Sequence, residues 1–283
     1  MSPPPFVRIE GLTKHFMPNA SLFGRLTGKT GSVIRAVQNV SFSIRKGQTY
    51  ALVGESGSGK STIAQVIAGL VRPDAGSVVI DGVSLEAGRE ERNILRRRVQ
   101  MVFQDPYTSL NPRWRVADII AEPCHALGLQ IPSSEIPTRV SELLLRVGLH
   151  KSDAEKYPHQ FSGGQRQRIA IARMLAAQAE FVICDEPTSA LDVSVQAQIL
   201  NLMRELQEDF GLTYLFISHN LAVVRFMADH VGVLNQGELV EAGPANVIFK
   251  APKHEYTRQL LSAVPEPTVE ATNAASAART AAL

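Results

Sequence analysis

The sequence has few cysteines, no long apolar run and almost no excess charge. Its 283 residues include two cysteines, Cys124 and Cys184, and no C-x-x-C spacing. The chain therefore lacks the thiolate ligands of zinc or iron–sulfur sites, and two isolated thiols fit a reducing, cytosolic compartment. No apolar run reaches the roughly 18 residues of a membrane-spanning helix, and residues 1–5 carry no apolar signal core. The net charge of +2 gives no reason to expect broad nucleic-acid binding.

A glycine-rich segment between a predicted strand and a predicted helix matches the phosphate-binding P-loop. Residues 50–53 are an apolar run typical of a buried strand, residues 61–69 favour a helix, and residues 54–61 fit G-x-x-x-x-G-K-[ST]. The glycines let the backbone curl so that its N–H groups point at an anion, and the helix start adds unpaired donors. Lys60 supplies a positive charge for the outer phosphates, and the Ser61 hydroxyl suits Mg²⁺. The predicted nucleotide-binding residues here are Gly54, Glu55, Ser56, Gly57, Ser58, Gly59, Lys60, Ser61 and Thr62.

Polar residues that suit phosphate chemistry follow three other predicted strands. Asp185 and Glu186 end the apolar run 181–184, where a parallel sheet presents its ligand-binding edge. We expect Asp185 to hold Mg²⁺, through water, and Glu186 to act as the general base for the attacking water. His219 could contact the γ-phosphate, and Gln104 could sense Mg²⁺ or the attacking water. The alternatives are two solvated acids at a strand end and a structural histidine.

Residues 161–165, Phe-Ser-Gly-Gly-Gln, form a second potential anion site at the start of a strong predicted helix. Ser162 can cap that helix, and the two glycines expose backbone N–H groups at its positive end. Because the P-loop already holds one phosphate group, a nucleotide reached from both sides implies two protomers that face each other. The simpler alternative is a capped helix with no ligand.

The remaining pattern predicts an α/β chain with a helical insertion. Strands are expected at residues 6–10, 33–44 and 77–82, the last ending in an Asp-Gly hairpin turn. Residues 116–154 have helical periodicity that is broken by Pro123, Pro132 and Pro137, and the helical insertion is expected to span residues 104 to about 174. Residues 17–31 are predicted to form a polar loop. The composition of residues 266–283, rich in alanine and poor in large apolar groups, predicts a mobile tail after a domain that spans residues 1–265.

Taken together, these motifs and Ser189–Asp192 resemble the ATP-binding cassette family, in order and spacing, to about residue 265. The resemblance implies an ATPase with a P-loop NTPase core, in which helices flank a mixed sheet, together with an antiparallel β subdomain and an inserted α-helical subdomain. It implies ATP and Mg²⁺ as cofactors, with metal contacts from Ser61, Gln104 and Asp185. Catalytic roles would fall to Glu186, His219, Gln104 and Lys60.

The same resemblance assigns further contacts to ATP. Phe16 matches the aromatic residue that stacks on adenine, and Gln104 matches the glutamine that couples the Mg²⁺ site to the helical subdomain. Asp192 matches the loop that links the two sites of a dimer. The signature residues that would meet the γ-phosphate bound by the opposite protomer are Ser162, Gly163, Gly164 and Gln165.

Residues 104–113, 157–168 and 254–265 resemble the oligopeptide, dipeptide and nickel importer ATPases, and the long loop after Phe16 resembles their second, F-type subunit. This implies a homologous ATPase as head-to-tail partner, two membrane permeases and an extracytoplasmic solute-binding protein, with the chain on the cytoplasmic face of the membrane. Many relatives carry a cysteine-bearing extension that can hold an iron–sulfur cluster. The alanine-rich end of this sequence lacks cysteine, so we expect no cluster.

Three questions stay open at this stage. The cargo could be a dipeptide, a longer peptide, glutathione, a nickel complex or an opine. A cassette ATPase that works on nucleic acid or ribosomes is an alternative, but the single set of motifs, the absence of heptads and the near-neutral charge disfavour it. A non-catalytic nucleotide-binding scaffold is disfavoured because Glu186 and His219 keep the residue types of a hydrolysing site.

Overall fold

The computed structural model describes residues 4–17, 33–105 and 109–262, which form two β-sheets with flanking helices. The strands are β1 (Val7–Phe16), β2 (Ile34–Ile44), β3 (Thr49–Val53), β4 (Ala75–Ile80), β5 (Val83–Ser84), β6 (Val99–Val102), β7 (Phe181–Asp185), β8 (Thr213–Ile217), β9 (His230–Asn235) and β10 (Glu238–Pro244). The helices are α1 (Lys60–Ile67), α2 (Arg89–Arg98), α3 (Val116–Ala126), α4 (Ile136–Arg146), α5 (Gly163–Ala176), α6 (Val193–Phe210), α7 (Leu221–Met227), α8 (Ala245–Lys250) and α9 (Glu255–Ser262). Two short 3₁₀ helices, Lys151–Glu155 and Pro158–Gln160, lie between α4 and α5.

The larger sheet brings the carboxyl ends of its parallel strands to one edge. Its strand order is β10-β9-β3-β8-β7-β6, with β10 antiparallel to β9 and the other neighbours parallel. Strands β3 and β8 are buried along their whole length, which explains why they read as continuous apolar or β-branched runs rather than alternating ones. The segments after β3, β6, β7 and β8 therefore meet at one edge, as the sequence predicts.

The smaller sheet is antiparallel, with strand order β2-β1-β4-β5. Its β4–β5 hairpin turns at Asp81 and Gly82, whose φ values of 49° and 77° are those of the primed turn that Asp-Gly favours. Apolar side chains of this sheet pack with α1 and with β3 in one core cluster that includes Ile9, Val40 and Ile63. The predicted fold class is confirmed: a mixed sheet flanked by helices, an antiparallel sheet and a helical segment.

Two local predictions were wrong. The first strand does not end at residue 10 but continues as β1 to Phe16, because Gly11, at φ 61°, forms a bulge at which the pairing register with β2 and β4 shifts. Pro123 does not interrupt the helical pattern, since α3 runs through it. The proline side chain is buried there, and the packing of α3 offsets the one hydrogen bond that its ring nitrogen cannot donate.

The helical segment between β6 and β7 packs α3, α4 and α5 around a core that includes Ile120, Leu144 and Ile169. Its limits at residues 104 and 174 stay a prediction. The predicted polar loop beyond Met17 and the predicted tail at 266–283 lie outside the described residues. Within the ranges that the structure describes, no helix is both long and apolar enough to cross a membrane.

Candidate functional site

The P-loop leaves β3 and enters α1 through backbone conformations that require glycine. Gly54 has φ 151°, and a Cβ atom there would lie 2.1 Å from the carbonyl oxygen of Leu234. Gly59 has φ 107°, and its Cβ would lie 2.2 Å from the carbonyl oxygen of Ala36. Any side chain at these two positions would collide with backbone atoms that cannot move aside. The loop is therefore shaped by the neighbouring strands as well as by its own glycines.

The Lys60 ammonium lies inside the curl of the loop. It donates hydrogen bonds to the carbonyl oxygens of Gly54 and Glu55 at 2.8 and 2.7 Å and to the hydroxyl of Ser58 at 3.2 Å. The residue is 6% exposed. Burial lowers the pKa of Lys60, and the carboxylate of Glu186 opposes that shift. A cation thus occupies the centre of the loop, next to the edge where the acids of β7 lie.

Two oxygen ligands lie side by side at the start of α1 and the end of β7. The hydroxyl of Ser61 donates to Asp185 Oδ1 at 3.2 Å. Burial raises the pKa of Asp185, while the Ser61 hydrogen bond and the charge of Lys60 lower it. A hydroxyl and a carboxylate are the hard oxygen donors that Mg²⁺ prefers, with phosphates and water as its other ligands. The residues present therefore fit a magnesium ion.

Glu186 joins the ends of three neighbouring strands. Its Oε2 accepts from the side-chain amide of Gln104 after β6 at 3.2 Å, and its Oε1 lies 2.9 Å from His219 Nδ1 after β8. Its backbone N–H donates to Ile217 at 2.9 Å. The residue has φ 49°, a conformation that is uncommon for a non-glycine residue and that costs it energy. Glu186 is therefore in direct contact with both of the other side chains predicted to act on the attacking water and the γ-phosphate.

The signature segment, residues 161–165, is held by contacts of its own at the start of α5. Ser162 caps α5 by accepting from the N–H of Gln165 at 3.3 Å, and Gln165 Oε1 accepts from the N–H of Ser162 at 3.0 Å. Gly163 is half-buried and Gly164 is buried. A Cβ on Gly164 would lie 2.3 Å from Val195 Cγ1, so packing against α6 also requires glycine there. Among the described residues, no hydrogen bond joins this segment to the P-loop.

Asp192 and Phe16 also have no hydrogen bond to the P-loop among the described residues. Asp192 caps α6, accepting from the N–H of Val195 at 3.0 Å and from the hydroxyl of Ser194 at 2.7 Å, and these bonds lower its pKa. Phe16 ends β1 with 37% of its surface exposed, and the Lys14 ammonium lies 5.5 Å from its ring centre. The Phe16 ring is thus partly exposed, with the Lys14 ammonium over it.

The structure adds a P-loop contact that sequence reasoning missed. The backbone N–H of Glu55 donates to the phenol oxygen of Tyr256, on α9, at 3.1 Å. The two residues are 201 positions apart in sequence, and no motif spacing connects them. The part played by Ser58 in holding Lys60 was missed as well, since the P-loop pattern leaves that position free.

Comparisons with known proteins identify the family. The family model "ABC transporter" matches residues 37–189, and the model "Oligopeptide/dipeptide transporter, C-terminal region" matches residues 240–282. The chain is 52% identical over 236 residues to the oligopeptide transport ATP-binding protein OppF of Bacillus subtilis (strain 168). That alignment covers 83% of this chain and 77% of OppF. It is 48% identical over 255 residues to the di/tripeptide transport ATP-binding protein DppF of Pseudomonas aeruginosa (strain UCBPP-PA14), covering 90% of this chain and 77% of that protein.

A solved relative has the same architecture. It is a dimeric ATP-binding cassette in a post-hydrolysis state, bound to ADP and Pi, and it is 30% identical to this chain with a TM-score of 0.71. The match covers 84% of this chain and 98% of that one. The resemblance that the motifs suggest is therefore confirmed: the chain belongs to the ATP-binding cassette transporter ATPases, in the group that includes OppF and DppF.

Proposed function

We propose that this chain binds MgATP and hydrolyses it to drive uptake of peptides through partner permeases, as the second of two homologous ATPases at the cytoplasmic face of the membrane. The observation that carries the proposal is the contact of Glu186 with Gln104 and His219, next to Lys60, Ser61 and Asp185. The names of the relatives support a peptide as cargo. Glutathione, nickel complexes and opines are the alternatives, because the residues that read the cargo lie on other chains.

The proposed reaction needs each group of this edge in one role. Lys60 would turn from the loop carbonyls to the outer phosphates, and Ser61 and Asp185 would hold Mg²⁺, which supplies positive charge beside those phosphates. The oxygen of a water molecule attacks the γ-phosphorus, the bond from that atom to the bridging oxygen breaks, and ADP and phosphate leave. The carboxylate of Glu186 takes the proton of the water. Gln104 would orient the carboxylate, and His219 would contact the γ-phosphate.

The proposal includes a head-to-tail dimer with a homologous ATPase. Within one chain, the capped start of α5 has no hydrogen bond to the P-loop in the described residues, although its N–H groups suit an anion. A partner chain would bring its own signature segment to the nucleotide held here, and this chain would do the same in return. The dimeric form of the solved relative supports this arrangement.

A groove between α2, β6 and α5 is the proposed contact with a permease. It encloses about 690 Å³, and its lining includes Leu70, Arg92, Leu95, Phe103, Arg173 and Met174. Leu70 and Phe103 are 63% and 44% exposed. Arginines outnumber acids in the described lining, which also holds Arg72, Arg96 and one acid, Glu86, and Arg173 is paired with Glu122 at 2.7 Å. An apolar floor with this mainly basic rim fits a short amphipathic segment with acidic side chains. Because β6 leads directly from this groove to Gln104, a segment seated there would respond to changes around Glu186.

A capture experiment tests the assignment. The tagged full chain is recovered from detergent-solubilised membranes of its host, its partners are identified by mass spectrometry, and ATP hydrolysis is measured with and without peptides. We expect two multi-span permeases, a second ATPase and hydrolysis stimulated by peptides together with the binding protein. Recovery of ribosomal or nucleic-acid-repair proteins without permeases would overturn the transport assignment. Stimulation by glutathione or nickel alone would overturn the peptide cargo.

Two matched variants test the permease contact. Leu70→Asp places a charge on an exposed leucine of the groove, and Val247→Asp does the same on α8, where the valine is 43% exposed. We expect Leu70→Asp to lose the permeases in the capture experiment while it still binds MgATP, and Val247→Asp to keep both. Equal recovery of permeases with the two variants would refute this contact.

A further inference from the structure

The first turn of helix α9 contacts the P-loop. The phenol oxygen of Tyr256 accepts a hydrogen bond from the backbone N–H of Glu55 at 3.1 Å. The carbonyl oxygen of the same Glu55 accepts from the Lys60 ammonium at 2.7 Å. One residue of the loop is therefore held from both sides, by Tyr256 through its N–H and by Lys60 through its C=O.

The position of Tyr256 is fixed independently of the P-loop. Its ring packs, with Leu260 and Leu261, against an apolar cluster that includes Val53 and Val233 of the larger sheet. This packing sets the α9 backbone against the two strands next to the loop. The phenol oxygen therefore reaches Glu55 from a rigid support rather than from a free side chain.

Glu241 on β10 fixes the start of α9. Its two carboxylate oxygens accept from the backbone N–H groups of Lys253 and His254 at 2.8 and 3.0 Å. The next residue but one is Tyr256, whose own N–H donates to His254 Nδ1 at 3.2 Å. The carboxylate thus satisfies the free donors just before the helix, and it holds the turn that carries the phenol.

We propose that Tyr256 is a positioning residue for the P-loop, through which the C-terminal helix α9 acts on nucleotide affinity. The inference rests on the proposed phosphate-binding role of the loop. When the Lys60 ammonium turns to a phosphate, the carbonyl of Glu55 loses its cation, and the hydrogen bond from the N–H of Glu55 to Tyr256 remains. That bond keeps the first turn of the loop in its anion-binding conformation while Lys60 moves.

Tyr256→Phe tests the proposal, because it removes the acceptor and keeps the ring. One neutral hydrogen bond at a partly exposed site corresponds to about a two- to fivefold weaker Kd of the full chain for MgATP. We expect that loss, together with faster hydrogen exchange at the Glu55 amide and an unfolding temperature within about 2 °C of the wild type. In the complex with its partners, KM for ATP should rise by the same factor with little change in kcat.

Tyr50→Phe is the matched control. Tyr50 lies on β3, and its hydroxyl has no hydrogen-bond partner among the residues that the structure describes. The same atom is therefore removed without loss of a bond, and we expect no change in Kd. An unchanged Kd for Tyr256→Phe, or an equal loss for Tyr50→Phe, would overturn the proposal.

Glu241→Gln tests whether α9 acts on the P-loop through the Tyr256 hydroxyl. If α9 acts through Tyr256, loosening its first turn should weaken MgATP binding. The double variant Glu241→Gln, Tyr256→Phe should then have a Kd for MgATP no higher than the higher Kd of the two single variants. Fully additive losses would contradict a common route. Failure of the wild type to bind MgATP, or binding by Lys60→Ala as tight as by the wild type, would instead refute the phosphate-binding role of the loop.

Discussion

Glu186→Gln tests the catalytic role of the carboxylate while it changes the structure of the site little. The carboxylate side chain is 19% exposed and that of His219 is 61% exposed. An amide keeps the size of the side chain and still makes hydrogen bonds, but two bonds that involved a charged group become neutral ones. Each such change costs about 1 kcal/mol when fully buried, and solvent reduces the cost on the His219 side. We therefore expect a loss of about 1 kcal/mol in the free energy of unfolding, which corresponds to about 2–4 °C.

The effect of Glu186→Gln on catalysis should be much larger, because an amide cannot take the proton of water. Loss of a general base lowers kcat by about 10²- to 10⁴-fold, or about 3–5 kcal/mol of barrier. The assay is phosphate release by the complex with its partners, next to MgATP binding and thermal unfolding. We expect ATP binding to be retained and a closed, ATP-bound dimer to accumulate.

The matched control for that experiment is Glu180→Gln, just before the other end of β7. Glu180 forms ion pairs with Lys46 at 2.8 Å and with Arg98 at 3.4 Å, so its substitution removes charge contacts of similar size away from the P-loop. We expect a similar or smaller stability loss and an unchanged kcat. Hydrolysis by Glu186→Gln within about threefold of the wild type would refute the assignment of the general base, since that is far below the contribution of such a group.

Three further predictions follow from local contacts. Gly164→Ala should lower the unfolding temperature because its Cβ would meet Val195 Cγ1 at 2.3 Å, at about 1–3 kcal/mol for overpacking; Val195→Ala in the same chain should restore it, and no recovery would contradict this cause. Burial of Asp153 tends to raise its pKa, but the hydrogen bonds from Lys156 at 2.7 Å and from a backbone N–H lower the pKa overall. The ionised Asp153 therefore stabilises the fold above the ordinary pKa of Asp, and this stabilisation is lost as pH falls through the lowered pKa. Asp153→Asn should therefore reduce the acid dependence of thermal unfolding, and an unchanged profile would contradict that. Burial raises the pKa of Cys184, so iodoacetamide at pH 8 should alkylate it only after denaturation; rapid alkylation of the native chain, read by mass spectrometry, would contradict its burial.

Local sequence patterns predict the edge at which the parallel strands of the larger sheet end, because each strand and the functional residues that follow it are adjacent in sequence. The P-loop, the acids after β7 and the histidine after β8 each follow an apolar run that can only be a buried strand in this fold class. Parallel strands then align their carboxyl ends without any further information. The sequence could therefore predict that Lys60, Asp185, Glu186 and His219 lie together, although not which atoms meet.

Packing decides the features that the sequence could not predict. The continuation of β1 past Gly11 depends on pairing with β2 and β4. Because of this pairing, Gly11 forms a bulge within the strand and does not end it. The path of α3 through Pro123 depends on burial of the helix. The contact of Tyr256 with the P-loop depends on where β10 and the packing against the larger sheet set α9. In the first two cases a contact distant in sequence outweighs a local preference, and in the third no local pattern exists from which the contact could be predicted.

In the proposed dimer, the two glycines of the signature segment would connect nucleotide binding at one site to the other. The Cβ positions of Gly163 and Gly164 face Leu191 Cδ2 at 3.4 Å and Val195 Cγ1 at 2.3 Å, so the start of α5 lies directly on the residues that flank Asp192. Interiors packed this closely shift as units rather than deform. A phosphate drawn to the N–H groups of α5 in the proposed dimer would therefore move the turn of Asp192 with it. Because that turn follows Glu186 by six positions and continues from the end of β7, the same displacement would reach the carboxylate that we propose as the general base for the chain's own ATP.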